Sequence, residues 1–218
     1  MPNLNAASRR STLARLLTVL AVAPFASLHS ATAQTRAAME PTPRDAEGPF
    51  YPTRIPAEAD ADLTRVAGRT GVAKGTPLEF SGRVFGTDGK PLAGAKVELW
   101  QCDSLGRYHH VDGDPGTRDE HFQGYGTVTT DADGRYAFRT IRPIPYGGRP
   151  PHLHFKLAHA SAQPLTTQLY PRGESAERGM GFGLSGRDTR SRLEFAPSAG
   201  NVPGSLAATY DFALRKNA

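Results

Sequence analysis

The chain has almost no cysteine: Cys102 is the only one in 218 residues. An internal disulfide is therefore excluded, and a cysteine-ligated zinc or iron–sulfur site has no ligands; stability has to come from packing or from a metal held by other side chains. There is no H-E-x-x-H pair and no obvious carboxylate to complete a two-histidine, one-carboxylate metal face. No Lys/Arg block with interleaved aromatics is present, which leaves nucleic-acid binding without electrostatic support. The N-terminal apolar run, Leu16 to Leu28, is about a dozen residues where a membrane-spanning helix needs roughly 20. Cys102 itself lies in a strand-like stretch and reads as a small buried hydrophobe.

What precedes and follows that apolar run gives it a meaning. Ser8-Arg9-Arg10-Ser11-Thr12-Leu13 stands before it and Ala31-Thr32-Ala33 after it, the layout of a cleaved export signal over residues 1–33, with paired arginines of the twin-arginine type. The expected location is periplasmic or secreted, with no stable membrane insertion once the signal is removed. Removing Arg9, Arg10 and Arg15 with the leader takes 26 basic residues to 23 against 21 acidic ones, and the net charge from +5 to +2. Twin-arginine export carries folded proteins, often with a metal already acquired, so the leader points toward a cofactor.

From Gln34 to about Thr76 the chain is rich in Ala, Pro, Thr and charge without a sustained period, and it reads as an extended arm (34–76) wrapped on the domain. Glu47-Gly48-Pro49-Phe50-Tyr51-Pro52 stands out there, because two prolines fix φ and an aromatic pair can dock. From residue 77 the period becomes two. Leu78–Phe85 and Ala95–Trp100 alternate around the Thr87-Asp88-Gly89-Lys90-Pro91-Leu92 turn; Thr127–Thr130 and Arg135–Arg139 flank Asp131-Ala132-Asp133-Gly134. His152–Leu157, Leu165–Tyr170, Arg192–Phe195 and Ala208–Leu214 follow, and no stretch offers a long amphipathic helix. The expectation is an all-β, antiparallel Greek-key sandwich over 77–218 with two long loops, Asp103–Gly126 and Glu174–Arg190.

The sharpest local feature is His152-Leu153-His154 inside a strand-like segment. Side chains two apart in a strand share a face, so the imidazoles converge while Leu153 faces the other way. By spacing alone such a pair fits a surface strand as well as a metal site. If it is a metal site, tyrosines are the oxygen donors at hand; a phenol ionises near pH 10 and becomes a ligand only beside a strong Lewis acid such as Fe(III).

Leu99-Trp100-Gln101, Gly106-Arg107-Tyr108-His109-His110, the run from Asp133-Gly134-Arg135-Tyr136 to Pro143-Ile144-Pro145-Tyr146, Arg149-Pro150-Pro151-His152-Leu153-His154-Phe155 and Thr167-Gln168-Leu169-Tyr170 together resemble the intradiol ring-cleavage dioxygenases, the group of the catechol 1,2- and protocatechuate 3,4-dioxygenases. The resemblance covers roughly residues 47–170 and is specific because the motifs agree in order and spacing together. It implies a mononuclear, non-haem Fe(III) held by Tyr108, Tyr146, His152 and His154. It also implies that Arg149 stabilises charge on the activated substrate, that Gln168 lines the site, that Tyr146 takes a substrate proton, and that residues 47–52 lie near the substrate mouth. The implied partners are a small aromatic diol and O2, with a cis,cis-muconate-type product; family members often assemble as homo-oligomers. Five residues separate Tyr146 from His152, a shorter loop than well-known members have, and Gly147-Gly148 makes a tight turn feasible there. Asp88 to Val97 also resembles transthyretin-like repeats, so a non-catalytic sandwich module or a metal carrier is the competing expectation.

Overall fold

The computed structural model describes residues 37–109, 117–174 and 187–217. The leader expected over 1–33, His110 and most of the 174–190 loop lie outside the described residues. Period-two alternation becomes two five-stranded sheets. The first is built on β1 (Pro77–Gly86), which pairs antiparallel with β4 (Arg135–Ile141), Phe80 opposite Phe138. The C-terminal strands β9 (Leu206–Thr209) and β10 (Phe212–Leu214) run parallel to β1, and β8 (Ser198–Ala199) pairs with β9. The second sheet has the order β3 (Tyr125–Thr129), β2 (Lys96–Trp100), β5 (Leu153–His159), β6 (Ala162–Pro171), β7 (Glu194–Phe195). The single short helix α1 is Arg187–Ser191.

The chain is thus all-β, but its sheets are mixed where the sequence reading expected antiparallel pairing throughout. The expected strand 208–214 is also split. Its two pieces keep one register, with Leu78 opposite Leu206 and Val84 opposite Phe212, while the ladder breaks at Tyr210–Asp211. Gly82 permits the break: a Cβ there would sit 1.8 Å from the Tyr210 carbonyl oxygen. Pairing between residues so distant in sequence leaves no local signal in either segment.

Alternation divides each strand of the second sheet between two environments. Val97, Leu99, Leu153, Phe155, Leu157 and Leu165 face inward and are buried with Phe80, Phe138 and Phe212 of the other sheet, with Phe155 5.4 Å from Phe80 and 5.1 Å from Phe212 between ring centres. Glu98, Trp100, His154, Lys156 and Gln168 occupy the alternate positions. That outer face is not left to water. Residues 45–59 cross it, with the Asp45 N–H donating to Thr166 O, Gln168 donating to Ala46 O, and the Thr127 N–H donating to Ala59 O. Further along, Leu63 is fully buried in the main core, so this segment contributes packing to both faces. Among the described residues no helix is long and apolar enough to cross a membrane.

Candidate metal centre

Register across the second sheet builds the floor of the site. Tyr125, Trp100, His154 and Gln168 are successive cross-strand partners in one row, so four polar or aromatic side chains stand abreast on the arm-covered face. Trp100 stacks on His154 with ring centres 4.8 Å apart and planes 12° apart. His152, just before β5, is oriented by its Nδ1–H, which donates to Pro150 O at 2.7 Å. That bond assigns the tautomer and leaves the Nε2 lone pair facing inward.

The two tyrosines arrive from opposite sides. Tyr108 is carried by the loop that follows β2; it is buried and lies flat on Phe50 of the arm, 4.4 Å between centres and 15° between planes. Tyr146 sits at the base of a two-residue turn in which Tyr146 and Arg149 exchange both backbone hydrogen bonds. Gly147 and Gly148 occupy its tip at φ 52° and 78°. Two successive positive φ values are the requirement of a type I′ hairpin, which only residues such as glycine meet without strain. The short Tyr146–His152 spacing is therefore closed by local geometry, with Tyr146 and Arg149 brought across from each other.

All four expected ligands meet. Tyr108 Oη is 3.0 Å from Tyr146 Oη, which is 3.3 Å from His152 Nε2; His152 Nε2 is 3.1 Å from His154 Nε2, which is 3.1 Å from Tyr108 Oη. Among the described residues no three or more His, Cys, Asp or Glu side chains gather, so a donor set of four at this site needs the two phenols. Satisfied internally, this ring has a defect. Since His152 Nε2 accepts, His154 has to donate through Nε2 and then leaves its buried Nδ1, which has no partner, as an orphan acceptor; the other tautomer sets two lone pairs against each other. A central cation removes the opposition of lone pairs by accepting both from the Nε2 atoms, with the His154 proton moved to Nδ1, and donors about 2.1 Å from an ion at right angles are about 3.0 Å apart. The donor set fits a metal.

The electrostatics point the same way. Burial drives the His152 imidazole down to about 4, aided by the Arg149 charge, and burial with His152 and Arg149 drives His154 well below its usual range. Burial also raises both phenols, Tyr108 well above its usual range because Tyr146 adds to the rise, whereas at Tyr146 the hydrogen bond with Tyr108 works against burial. Every group here is thus neutral at neutral pH without a metal, and only a cation in the middle makes phenolate favourable. Metal-free protein should therefore lose stability as pH falls from about 6.5 to about 4, because the unfolded imidazole protonates in that window while folded His152 does not. The unfolded state binds the extra proton, so stability rises with pH by about 1.4 kcal/mol per unit for one such imidazole. Urea midpoints of the metal-free protein across this range test it; a slope unchanged by His152→Asn contradicts the burial argument.

Arg149 and Gln168 also join the site. Arg149 Nη2 donates to Gln168 Oε1 at 2.7 Å, while the buried Arg149 Nε has no partner. The Gln168 amide cannot flip, since its Nε2 donates to Ala46 O at 2.6 Å; Tyr170 Oη, 3.0 Å from Gln168 Oε1, also reaches Asp45 Oδ2 at 3.0 Å. On the other side of the arm segment, Tyr51 packs edge-on to Trp100 and donates to the buried Glu98, which Tyr125 and Lys96 also reach; Lys156 pairs with Glu47. Reading the sequence missed Asp45, Glu98 and Tyr170, which sit in ordinary alternating or irregular positions. Cys102 is buried beside the tyrosines, its thiol pushed up to about 12 by burial, as expected of an inert hydrophobe.

A family model described as dioxygenase matches residues 46–149, from the arm through the Tyr146 hairpin. The chain is 38% identical over 162 residues to catechol 1,2-dioxygenase 1 of Acinetobacter lwoffii, covering 61% of this chain and 47% of that one. It is 39% identical over 140 residues to the protocatechuate 3,4-dioxygenase beta chain of Burkholderia cepacia, covering 60% of each. The chain thus spans about half to three fifths of these curated relatives. Among solved structures, the dioxygenase domain of a dioxygenase and carbohydrate-binding protein fusion from Streptomyces sp. SirexAA-E superposes with a TM-score of 0.61 at 31% identity, covering 82% of this chain and all of that domain.

Proposed function

The chain belongs to the intradiol ring-cleavage dioxygenase family, and from that premise we propose that it opens catechol-type rings with O2 at a mononuclear non-haem Fe(III) held by Tyr108, Tyr146, His152 and His154. The observation that carries the reading is the closed ring of two phenol oxygens and two imidazole nitrogens at 3.0–3.3 Å, buried on a sheet face. A transthyretin-like binding module has no use for that ring. Two phenolates match a hard trivalent ion better than Zn(II). A ferric ion held there would supply the Lewis acidity and electron-accepting capacity that make a catechol ring reactive towards O2, for cleavage between the hydroxyl-bearing carbons to a cis,cis-muconate-type diacid.

The protein's own part is unequal between the tyrosines. Tyr108 is wholly buried under Phe50 and stays in place, whereas Tyr146 is half-buried on a hairpin whose glycine tip is exposed. Tyr146 Oη is therefore the group free to take a proton from one catechol hydroxyl and swing aside. Arg149, aimed by Gln168, supplies positive charge beside the ring where negative charge develops. Phe50, Trp100 and Ile144 border the centre with apolar surface and strengthen that electrostatic effect by keeping water out. Export through the Arg9-Arg10 leader belongs to the same proposal and places the substrate among phenolics outside the cytoplasm.

Protein produced with iron should contain about one iron per chain by this reading, show a visible phenolate-to-iron band, and take up O2 with catechol, protocatechuate or hydroxyquinol as the ring chromophore disappears. Colourless, zinc-filled protein rejects the cofactor. Coloured protein that consumes no O2 with any catechol rejects the activity and leaves an iron carrier.

A further inference from the structure

The loop that delivers Tyr108 has no strand partner over residues 103–109, yet its phenol reaches His154 and Tyr146 at hydrogen-bond distance. Something other than a ladder has to hold it. The segment begins at Asp103, three residues past β2, whose side chain is fully buried. Asp103 Oδ1 accepts the Leu105 N–H at 2.8 Å and the Arg107 N–H at 3.0 Å; Oδ2 accepts the Asp119 N–H at 2.8 Å and lies 2.9 Å from His109 Nε2. The main chain closes around this carboxylate: the Asp103 N–H donates to Arg107 O at 2.9 Å and the Gly106 N–H to Asp103 O at 3.0 Å. Residues on both sides of Tyr108 are thereby tied to one anionic group. The far end of the loop is tied as well, because Asp119, itself gripped by the Lys74 N–H at 2.5 Å and the His121 N–H at 3.1 Å, hangs from the same carboxylate.

We infer that Asp103 is a positioning residue of this centre: its buried carboxylate holds the turn that aims the Tyr108 phenol at His154 and Tyr146. The inference rests on the metal-site reading and goes beyond its ligand set. Four donors converge on two oxygens, and this is why the residue has to be an aspartate. An asparagine would turn its NH2 either onto the amides of Leu105 and Arg107 or onto that of Asp119, donor against donor. Burial raises the Asp103 carboxyl, but the His109 hydrogen bond and the backbone amides outweigh it and hold the group ionised. The turn also touches the second ligand. Gly106 adopts φ 77°, and a Cβ there would lie 3.0 Å from Tyr146 Cβ, so a turn that relaxes moves against the Tyr146 hairpin.

The test is Asp103→Asn, examined first without metal and then with iron. In crystals of the metal-free variant, Tyr108 Oη should leave hydrogen-bond distance of His154 Nε2 by about 1 Å or more, a misplacement large enough to matter for chemistry. With iron, absorbance of the visible band per bound iron should fall, whereas Val84→Ala, a core truncation in the other sheet, lowers Tm without altering the band. Tyr108 unmoved in the metal-free variant overturns the inference. If wild-type protein takes up no iron, the cofactor reading fails, and the metal-free crystals still decide what Asp103 does. Should Asp103→Asn not fold, His109→Leu removes one of the four donors and is expected to displace Tyr108 by less in the same direction; an unmoved phenol there is equally fatal.

Discussion

Tyr108→Phe protein made with iron should show a weakened and shifted visible band, carried by the Tyr146 phenolate alone, and open catechol rings at least about a hundredfold more slowly than wild type, the loss that even an outer-shell partner of a metal ligand can cause. The substitution removes one oxygen and little else. Tyr108 is packed flat on Phe50 and edge-on to His154, contacts a phenylalanine ring reproduces, so fold and Tm should change little. What disappears is the anionic donor that is most firmly held. Tyr146→Phe also keeps one phenolate, that of Tyr108, so its band shifts and persists; its turnover falls because the group that takes the substrate proton is gone. Visible spectra, iron per chain and O2 uptake on the two variants separate these outcomes. A Tyr108→Phe enzyme with the wild-type band and rate would remove this residue from the centre.

Arg149→Met should lower kcat with catechol by about 10²–10³, the range for deleting a preorganised charge-stabilising donor. The visible band and iron content should survive, since Arg149 holds no place in the donor ring. Its charge nevertheless acts on the site, favouring ionised phenols and disfavouring protonated imidazoles. Gln168→Leu leaves the guanidinium present but unaimed, for the 2.7 Å bond to Oε1 is lost and the Ala46 carbonyl loses its donor too. A smaller fall, about ten- to a hundredfold, follows from loss of an orienting partner. Both defects belong in kcat and kcat/KM together, the mark of an interaction made in the transition state. A rise in KM alone would make Arg149 a substrate anchor and no more.

The parts of this design that were legible in the sequence are those set by local rules. Period two put His152 and His154 on one face, Asp-Gly and Gly-Gly pairs marked the turns, and alternating apolar residues marked the buried faces of β1, β2 and β5. Parallel pairing of residues 206–214 with β1 was not legible, because it depends on a register between segments far apart in the chain. Nor was the roof. Residues 45–51 carry no period, and their placement follows from Asp45, Glu47 and Tyr51 finding Tyr170, Lys156 and Glu98 across the sheet. The Asp103 clamp did leave a trace, Asp103-Ser104-Leu105-Gly106, an aspartate followed three residues later by a glycine at positive φ, which is a turn signature.

The roof also sets an order of events. Its residues leave the ribosome before any of the strands they cover, and Gln168, to which Ala46 is tied, emerges more than a hundred residues later. The centre is complete only when this early segment returns to dock on a sheet whose strands are all made after it. A purification tag fused close to residue 45 would pull on that closing flap, and is better carried at the other terminus.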